Sequence, residues 1–207
     1  MSTSETDAAP QSLDPESLNA SQRERRRRII AAASELASEG GFHGVQMRDV
    51  AEKADVALGT LYRYFPSKIH LLIGALRDQT DTLRASVARR PPQGDTAEER
   101  VLDLLQRGTK PLERNPQLTG AVLRALMTGE ADASIDAAAT SDNMTTLIVN
   151  AIQDNGDDPT EDQLAMARVL QQVWSSSLMS WLSGRSSSRE LHENLEVATR
   201  LLLRNAP

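Results

Sequence analysis

Apolar residues recur along most of this chain at the three- and four-residue spacings of amphipathic helices. No segment shows the strict two-residue alternation that is typical of a half-buried β-strand. The pattern therefore predicts an all-α fold of about nine helices. The predicted helices cover approximately residues 21–39, 48–54, 58–65, 69–90, 96–114, 118–130, 135–155, 160–182 and 187–203.

Polar residues mark where several of these helices begin. A Ser or Thr followed three residues later by Glu or Gln forms a capping box, which satisfies two free N–H groups of the first helical turn. Four such boxes occur, at Ser21–Glu24, Thr96–Glu99, Thr160–Gln163 and Ser187–Glu190. Residues 1–20 are polar and aperiodic, so this segment is predicted to be a disordered N-terminal tail.

The stretch from Val45 to Lys68 predicts two short helices joined by a tight turn. Asp55 forms the corner, since Asp is one of the few residues other than Gly that accept a left-handed backbone. In the second helix, Leu58, Leu61 and Phe65 are expected to face inward. At about 100° per residue, the opposite face carries Gly59, Thr60, Arg63 and Tyr64. This small, hydrogen-bonding and aromatic surface suits the major groove of DNA.

Positive charge is concentrated in the same part of the chain, although the net charge of the whole chain is −6. Residues 21–76 contain nine bases and six acids, whereas residues 1–20 contain four acids and no base. Five of the bases are arginines between positions 23 and 28, where they oppose the dipole of the first helix. A phosphate partner explains this run better than a solvated helix start, although both interpretations stay open. Arg25 and Arg26 are therefore predicted DNA contacts.

The segment G-T-L-Y-R-Y-F-P-S-K, residues 59–68, resembles the helix-turn-helix of the TetR family of bacterial transcriptional repressors. The resemblance implies a helix-turn-helix domain over 21–67 and a ligand-binding and dimerisation domain over 68–207. It also implies that a homodimer binds palindromic, double-stranded operator DNA and is released by a small-molecule effector. Beside Gly59, Arg25 and Arg26, the positions matched to DNA contacts are Gln46, Arg48, Thr60, Tyr62, Tyr64 and Lys68.

Further segments resemble one group within that family, the actinobacterial regulators of cholesterol (ketosteroid) catabolism. They are G-G-F-H-G-V-Q-M-R-D-V-A at 40–51, R-N-P-Q-L-T at 114–119, D-P-T-E-D-Q at 158–163 and A-R-V-L-Q-Q-V-W-S-S-S-L-M-S-W-L at 167–182. The likeness implies a repressor of sterol or lipid degradation genes whose effector is a steroid-derived acyl-CoA thioester. A different apolar or CoA-linked effector is the alternative.

The body of the protein contains candidates for the ligand cavity and for dimerisation. Methionine and large apolar side chains suit a shaped apolar cavity, although each of them could equally fill the core. The predicted ligand contacts are Leu104, Met127, Met144, Leu147, Met166, Leu170, Trp174 and Leu178. Candidates for binding an anionic head group are Arg107, Lys110, Arg114 and Arg124. The last two helices resemble the dimerisation helices of the family, with contacts predicted at Ser176, Ser180, Leu195, Ala198 and Leu202.

Composition and motifs argue against several other classes of function. Cysteine is absent, which excludes disulfides and thiol chemistry and favours a reducing compartment. No apolar run approaches the roughly 20 residues that span a bilayer, so we expect no membrane partner and a bacterial cytoplasmic, nucleoid-associated location. The three histidines are scattered and no catalytic or phosphate-binding motif is present, so neither an enzyme nor a metal or cofactor is expected. A helical protein-interaction module is the alternative from another class.

Overall fold

The computed structural model describes residues 13, 17–128, 131–153 and 158–204, and for 131–141 it describes the backbone alone. Within these ranges the chain forms nine α-helices and no β-strand, which confirms the all-α prediction. They are α1 (Ala20–Gly44), α2 (Met47–Lys53), α3 (Leu58–Tyr64), α4 (Lys68–Arg89), α5 (Ala97–Arg114), α6 (Pro116–Met127), α7 (Ala131–Ile152), α8 (Glu161–Leu182) and α9 (Ser188–Leu203). None of the helices in the described part of the chain is both long and apolar enough to cross a bilayer.

The capping boxes place most of the helix starts as predicted. Three of the four predicted boxes form, at the starts of α5, α8 and α9. The prediction for the first helix is wrong, because α1 is capped by Asn19 and Gln22, each of whose side chains accepts the other's backbone N–H at 2.9 and 2.8 Å. Glu24 pairs instead with Arg27, one turn further along, at 2.7 Å. Asn caps a helix as well as Ser does, so two overlapping boxes were available here.

The segment ahead of α1 is partly packed. Leu18 is buried, and Leu13 packs against the same core. The prediction of disorder is therefore wrong for this part, because a single apolar residue in an aperiodic segment can still be buried on a core that other helices form. Residues 1–12 and 14–16 of the predicted tail lie outside the described residues.

Two hydrophobic cores organise the helices. The first lies between α1, α2, α3, the first half of α4 and α6, and the second between α5, α7, α8 and α9. Helix α4 contributes Ile69 and Leu72 to the first core, whereas Leu83 and Val87 pack against the second. Helix α6 packs on α1 although it lies far beyond the predicted domain boundary at residues 67 and 68. Helices α4 and α6 therefore connect the two cores.

Candidate DNA interface and ligand cavity

The corner between α2 and α3 has the geometry predicted for a helix-turn-helix. Asp55 adopts a left-handed backbone with φ 53°, and the Val56 N–H donates to the Ala51 carbonyl at 3.0 Å. From α1, the Arg28 guanidinium donates to the Ala54 carbonyl at 3.0 Å, at the C-terminal end of α2. A cation there satisfies a free carbonyl and complements the helix dipole. These contacts hold the turn between the two helices closed.

Most of the residues predicted to read DNA reach the surface. Gln46, Arg48, Gly59 and Tyr62 are exposed, and Thr60 is half-buried. A side chain added at Gly59 would meet no other atom of the described chain within 4 Å. The backbone of α3 is therefore open to close approach at this point, as a helix inserted in the major groove requires.

Tyr64 is the exception, and its predicted outward orientation is wrong. It is 4% exposed in the first core, and its hydroxyl has no hydrogen-bond partner within the described residues. Tyr64 follows the fully buried Leu61 by three positions, so the two side chains share one face of α3. Tyr62, another predicted DNA contact, is 38% exposed. Tyr62 is thus the tyrosine of α3 that can reach DNA.

Replacing Tyr64 with Phe is expected to leave operator affinity within about twofold of the wild type. The change removes a buried hydroxyl that lacks a partner, so the free energy of unfolding should stay equal or rise by about 1 kcal/mol. Fluorescence anisotropy with labelled operator and urea unfolding measure the two quantities. Tyr62→Phe is the matched control, since it removes the exposed hydroxyl and should weaken operator binding. A larger loss of affinity for Tyr64→Phe than for Tyr62→Phe would contradict the assignment.

The arginine run at the start of α1 is largely engaged within the protein. Four of its members contact other groups: Arg23 the Leu18 carbonyl, Arg26 the Phe65 ring, Arg27 the Glu24 carboxylate and Arg28 the Ala54 carbonyl. The Arg26 guanidinium carbon lies 5.3 Å from the ring centroid, within the range of a cation–π contact. Arg25 is half-buried. The run therefore also holds the helix-turn-helix together, and the phosphate contacts of Arg25 and Arg26 stay predictions.

Lys68 is held by an aromatic ring at the start of α4. Its Nζ donates to the Phe42 carbonyl at 3.1 Å and lies 4.2 Å from the centroid of the Phe42 ring. The Arg124 guanidinium of α6 approaches the same ring at 5.2 Å. Burial, together with the positive charge of Arg124, lowers the pKa of Lys68. The ammonium has three donors and the Phe42 carbonyl takes one of them, so the phosphate contact of Lys68 stays a prediction.

A cavity of about 500 Å³ lies between α4, α5, α6 and α8, with one residue of α7. Its volume falls within the range of small-molecule sites. The side chains around it are mainly apolar, and they include Leu76, Leu83, Leu112, Val122, Leu123, Leu126, Met144, Trp174 and Leu178. The Trp174 indole N–H donates to the Thr109 hydroxyl at 2.8 Å, which fixes the ring at the cavity wall.

Three of the eight predicted ligand contacts line this cavity, namely Met144, Trp174 and Leu178. The other five, Leu104, Met127, Leu147, Met166 and Leu170, are not among the residues that line it. Four of them pack in or against the second core, where the same apolar stripe that suggested a cavity fills the space between helices. Met127 is 71% exposed at the end of α6.

Cations of α5 border the cavity. Arg107, Lys110 and Arg114 line it, whereas the fourth predicted candidate, Arg124, lies over Phe42 on another side of α6. Arg107 is engaged at the end of α4, because its guanidinium donates to the Arg90 carbonyl at 2.7 Å and pairs with Asp103 at 2.6 Å. Lys110 and Arg114 are exposed. Their spacing of four residues places both on one side of α5, where they can meet an anionic group.

The last two helices carry large apolar side chains that the rest of the described chain leaves exposed. These are Val169 on α8 and Val197 and Leu201 on α9. At helical spacing, Val169 shares its face with Ser176 and Ser180, two of the predicted dimer contacts. Leu195 was predicted to face a partner, but it is buried in the second core. Ala198 and Leu202 are half-buried and also pack against that core.

Residues 29–75 match the family profile of the bacterial regulatory proteins of the tetR family, and residues 94–202 match the tetracyclin repressor-like C-terminal domain. This chain belongs to the TetR family of bacterial transcriptional regulators. The match confirms the predicted DNA-binding fold, and it confirms that the protein is a regulator and not an enzyme.

Two relatives narrow the position within the TetR family. The HTH-type transcriptional repressor KstR of Rhodococcus jostii (strain RHA1) is 46% identical over 182 residues, which cover 88% of this chain and 84% of that repressor. KstR of Mycobacterium tuberculosis is 42% identical over 182 residues, covering 88% of this chain and 82% of its own length. The chain is thus a TetR-family transcriptional repressor similar to KstR.

Solved TetR-family structures share the fold. A regulator from Rhodococcus sp. RHA1 superposes with a TM-score of 0.81 at 34% identity, covering 90% of this chain and 100% of that one. FadR of Thermus thermophilus, solved in complex with lauroyl-CoA, reaches a TM-score of 0.66 at 24% identity and covers 86% of this chain and 93% of its own.

The α4 wall of the cavity is the part of this TetR-family site that sequence reasoning missed, because none of the predicted ligand contacts lies on α4. Polar residues line the cavity from this helix: Asp78, Gln79, Thr80, Thr82 and Ser86. A signal was available, since Leu76, Gln79, Thr80 and Leu83 follow the three- and four-residue spacing of one helix face. Polar residues within an apolar stripe indicate a face that a polar ligand group or water can reach.

Proposed function

We propose that this TetR-family repressor binds palindromic operator DNA as a homodimer in the bacterial cytoplasm, at the nucleoid, and controls genes of sterol or lipid catabolism. An apolar effector with an anionic head group, such as a steroid-derived acyl-CoA thioester, releases it. The observation that carries the proposal is the apolar cavity of about 500 Å³ bordered by the cations of α5. The 46% identity to a KstR repressor adds the class of regulated genes.

The exposed apolar face of α8 and α9 supports dimer formation. A single recognition helix covers only a few base pairs, so the reading of a palindrome needs two copies about one helical turn apart. Val169, Val197 and Leu201 are exposed in one chain, and association through these helices would remove their apolar surface from water.

The chemistry of the cavity favours a long apolar ligand that ends in a negative charge. Leucine, methionine and tryptophan side chains bury the apolar part, and Lys110 and Arg114 attract phosphates or a carboxylate. The same fold holds lauroyl-CoA in FadR of Thermus thermophilus. A TetR-type repressor of a different apolar or CoA-linked effector is the alternative, and the experiment below separates the two.

Helix α6 supports a route from the cavity to the DNA-binding domain. Val122 and Leu123 line the cavity, while the same helix packs on α1. At the start of α6, the Asn115 amide donates to the Ser38 hydroxyl of α1. An effector that shifts α6 or α4 would therefore change the position of the first core, and with it the spacing of the two recognition helices.

Three probes test whether an effector releases the repressor and which chemical class of effector does so. They are a steroid acyl-CoA thioester, the corresponding free steroid acid and stearoyl-CoA. Binding is followed by tryptophan fluorescence in a Trp181→Phe background, which leaves Trp174 as the sole tryptophan of the sequence. Release is followed by the anisotropy of an operator selected from random duplexes by the wild-type protein. The proposal expects the steroid thioester to bind most tightly and to release the operator. Equal action of stearoyl-CoA would favour the alternative effector. Failure of all three to change operator affinity would contradict the proposal.

Replacing Gly108 with Leu is expected to weaken effector binding by about tenfold or more while operator affinity is retained. A Cβ at Gly108 would lie 3.4 Å from Leu83 and Trp174 and 3.7 Å from Met144, which is ordinary contact. The further atoms of Leu must therefore occupy the cavity. Gly108→Ala is the matched control, since it adds only the tolerated Cβ and should respond nearly as the wild type does. A wild-type response of Gly108→Leu would place the effector elsewhere.

A further inference from the structure

The recognition helix α3 receives a hydrogen bond from a residue far away in the sequence. It has only seven residues, and the carbonyl groups of its last turn have no partner within the helix itself. The Leu61 carbonyl accepts the Phe65 N–H at 2.9 Å, as in an ordinary helix end. The Arg63 carbonyl accepts the N–H of Leu13 at 3.0 Å, which comes from the segment ahead of α1.

This segment is anchored at its other end. Leu18 is buried in the first core, the cluster that also contains Leu61 of α3, and Leu13 packs against that cluster. The Leu18 carbonyl accepts a hydrogen bond from the Arg23 guanidinium, and Asn19 caps α1. We define Leu13 and residues 17–19 as the N-terminal strap. Residues 17–19 of the strap lie at the start of α1, and Leu13 lies at the C-terminal end of the recognition helix.

We infer that the N-terminal strap orients the recognition helix, so that Leu13 and Leu18 are positioning residues for operator reading. At the other end of α3, the N-cap residue Ala57 makes no side-chain cap hydrogen bond. The orientation of α3 therefore depends on the turn that precedes it, on its buried side chains and on the contacts at its C-terminal end. The strap precedes residues 29–75, which match the family's DNA-binding profile. The positioning role proposed for Leu13 and Leu18 therefore belongs to residues outside the part of the chain that this profile matches. The inference rests on DNA binding and is independent of the effector.

The test removes the Leu13 N–H from the full-length protein. Leu13→Pro has no backbone N–H to donate, whereas Leu13→Ala keeps the N–H and loses only part of the apolar contact. Affinity is measured by anisotropy for the selected operator and for a scrambled duplex of equal length. Leu13→Pro is expected to lower the ratio of the two affinities by about 2- to 12-fold, the range set by the net contribution of one hydrogen bond. Leu13→Ala should lower the ratio of operator affinity to scrambled-duplex affinity by less than Leu13→Pro does.

Hydrogen exchange supplies a readout of local opening at the recognition helix. The amides of residues 58–65 are expected to exchange faster in Leu13→Pro than in Leu13→Ala. Leu18→Ala, which removes the buried anchor, should lower the operator ratio in the same direction. An unchanged ratio and unchanged exchange in Leu13→Pro would overturn the inference. Equal losses on operator and scrambled DNA would also overturn it, since they would show a general effect on charge or stability instead of orientation.

Discussion

Replacing Leu201 with Asp is expected to convert the proposed homodimer to monomers and to weaken operator binding by roughly 100-fold or more. Leu201 is 66% exposed on α9, one turn after the exposed Val197. A carboxylate in an apolar helix–helix interface loses hydration without gaining a partner, which opposes association. A monomer then contacts one half-site and loses the second set of contacts, which the dimer makes at high effective concentration. Light scattering coupled to size exclusion measures the mass, and anisotropy measures operator affinity.

Met127→Asp is the matched control for this substitution. Met127 is 71% exposed, comparable to Leu201, but it belongs to the end of α6 and not to α8 or α9. The control therefore introduces the same charge and removes a similar exposed apolar side chain. We expect it to remain dimeric and to bind the operator as the wild type does. A dimeric Leu201→Asp variant with wild-type operator affinity would show that the apolar face of α9 has another role.

Replacing Gly74 with Ala is expected to lower the free energy of unfolding by about 1–3 kcal/mol and to weaken operator binding. A Cβ at this position of α4 would lie only 2.7 Å from Cε1 of Phe65. Phe65 directly follows the recognition helix, and its ring is held by Arg26. The ring must therefore move, and it would shift the C-terminal end of α3 with it. Urea unfolding and operator anisotropy measure the two effects.

Gly120→Ala separates this clash from the general effect of glycine in a helix. Gly120 lies inside α6, and a Cβ there would meet no other atom of the described chain within 4 Å. Because alanine favours the helix more than glycine does, this control should raise the free energy of unfolding by about 0.5–1 kcal/mol. Opposite signs for the two substitutions are the expected result. A Gly74→Ala variant that is stabilised like Gly120→Ala would show that Phe65 adjusts without cost.

Helix α3 shows that a residue can be assigned to the wrong face even where the limits of its helix are predicted correctly. Its limits were predicted to within one residue, since they depend on Asp55 before it and Pro66 after it. The inward side was assigned to Leu58, Leu61 and Phe65. Phe65 is the C-cap, with extended backbone angles, so it leaves the helix. Leu58, Leu61 and Phe65 do lie in or against the first core, and Tyr64 joins them, so the buried face of α3 is wider than the one assigned from the sequence.

The cavity shows a second limit of sequence reasoning. Leu104 and Leu170 have the same helical spacing and apolar character as the true lining residues, yet they are fully buried in the second core. Gly108 and Thr80 line or border the cavity although neither has a side chain typical of a lipid site. Whether a residue borders empty space depends on how far apart its neighbouring helices lie. Hydrophobic periodicity contains no information about that distance.

The sequence by itself determined the helices, three of the four predicted capping boxes, the left-handed corner at Asp55 and the resemblance to the TetR family. These features depend on residues close together in the chain, whose hydrogen bonds and backbone preferences are local. Only the tertiary structure decided that Tyr64 is buried, that Lys68 contacts Phe42, that α4 lines the cavity and that Leu13 contacts the recognition helix. Those contacts join residues far apart in sequence, and they form only when the packing of the two cores sets the distances between helices.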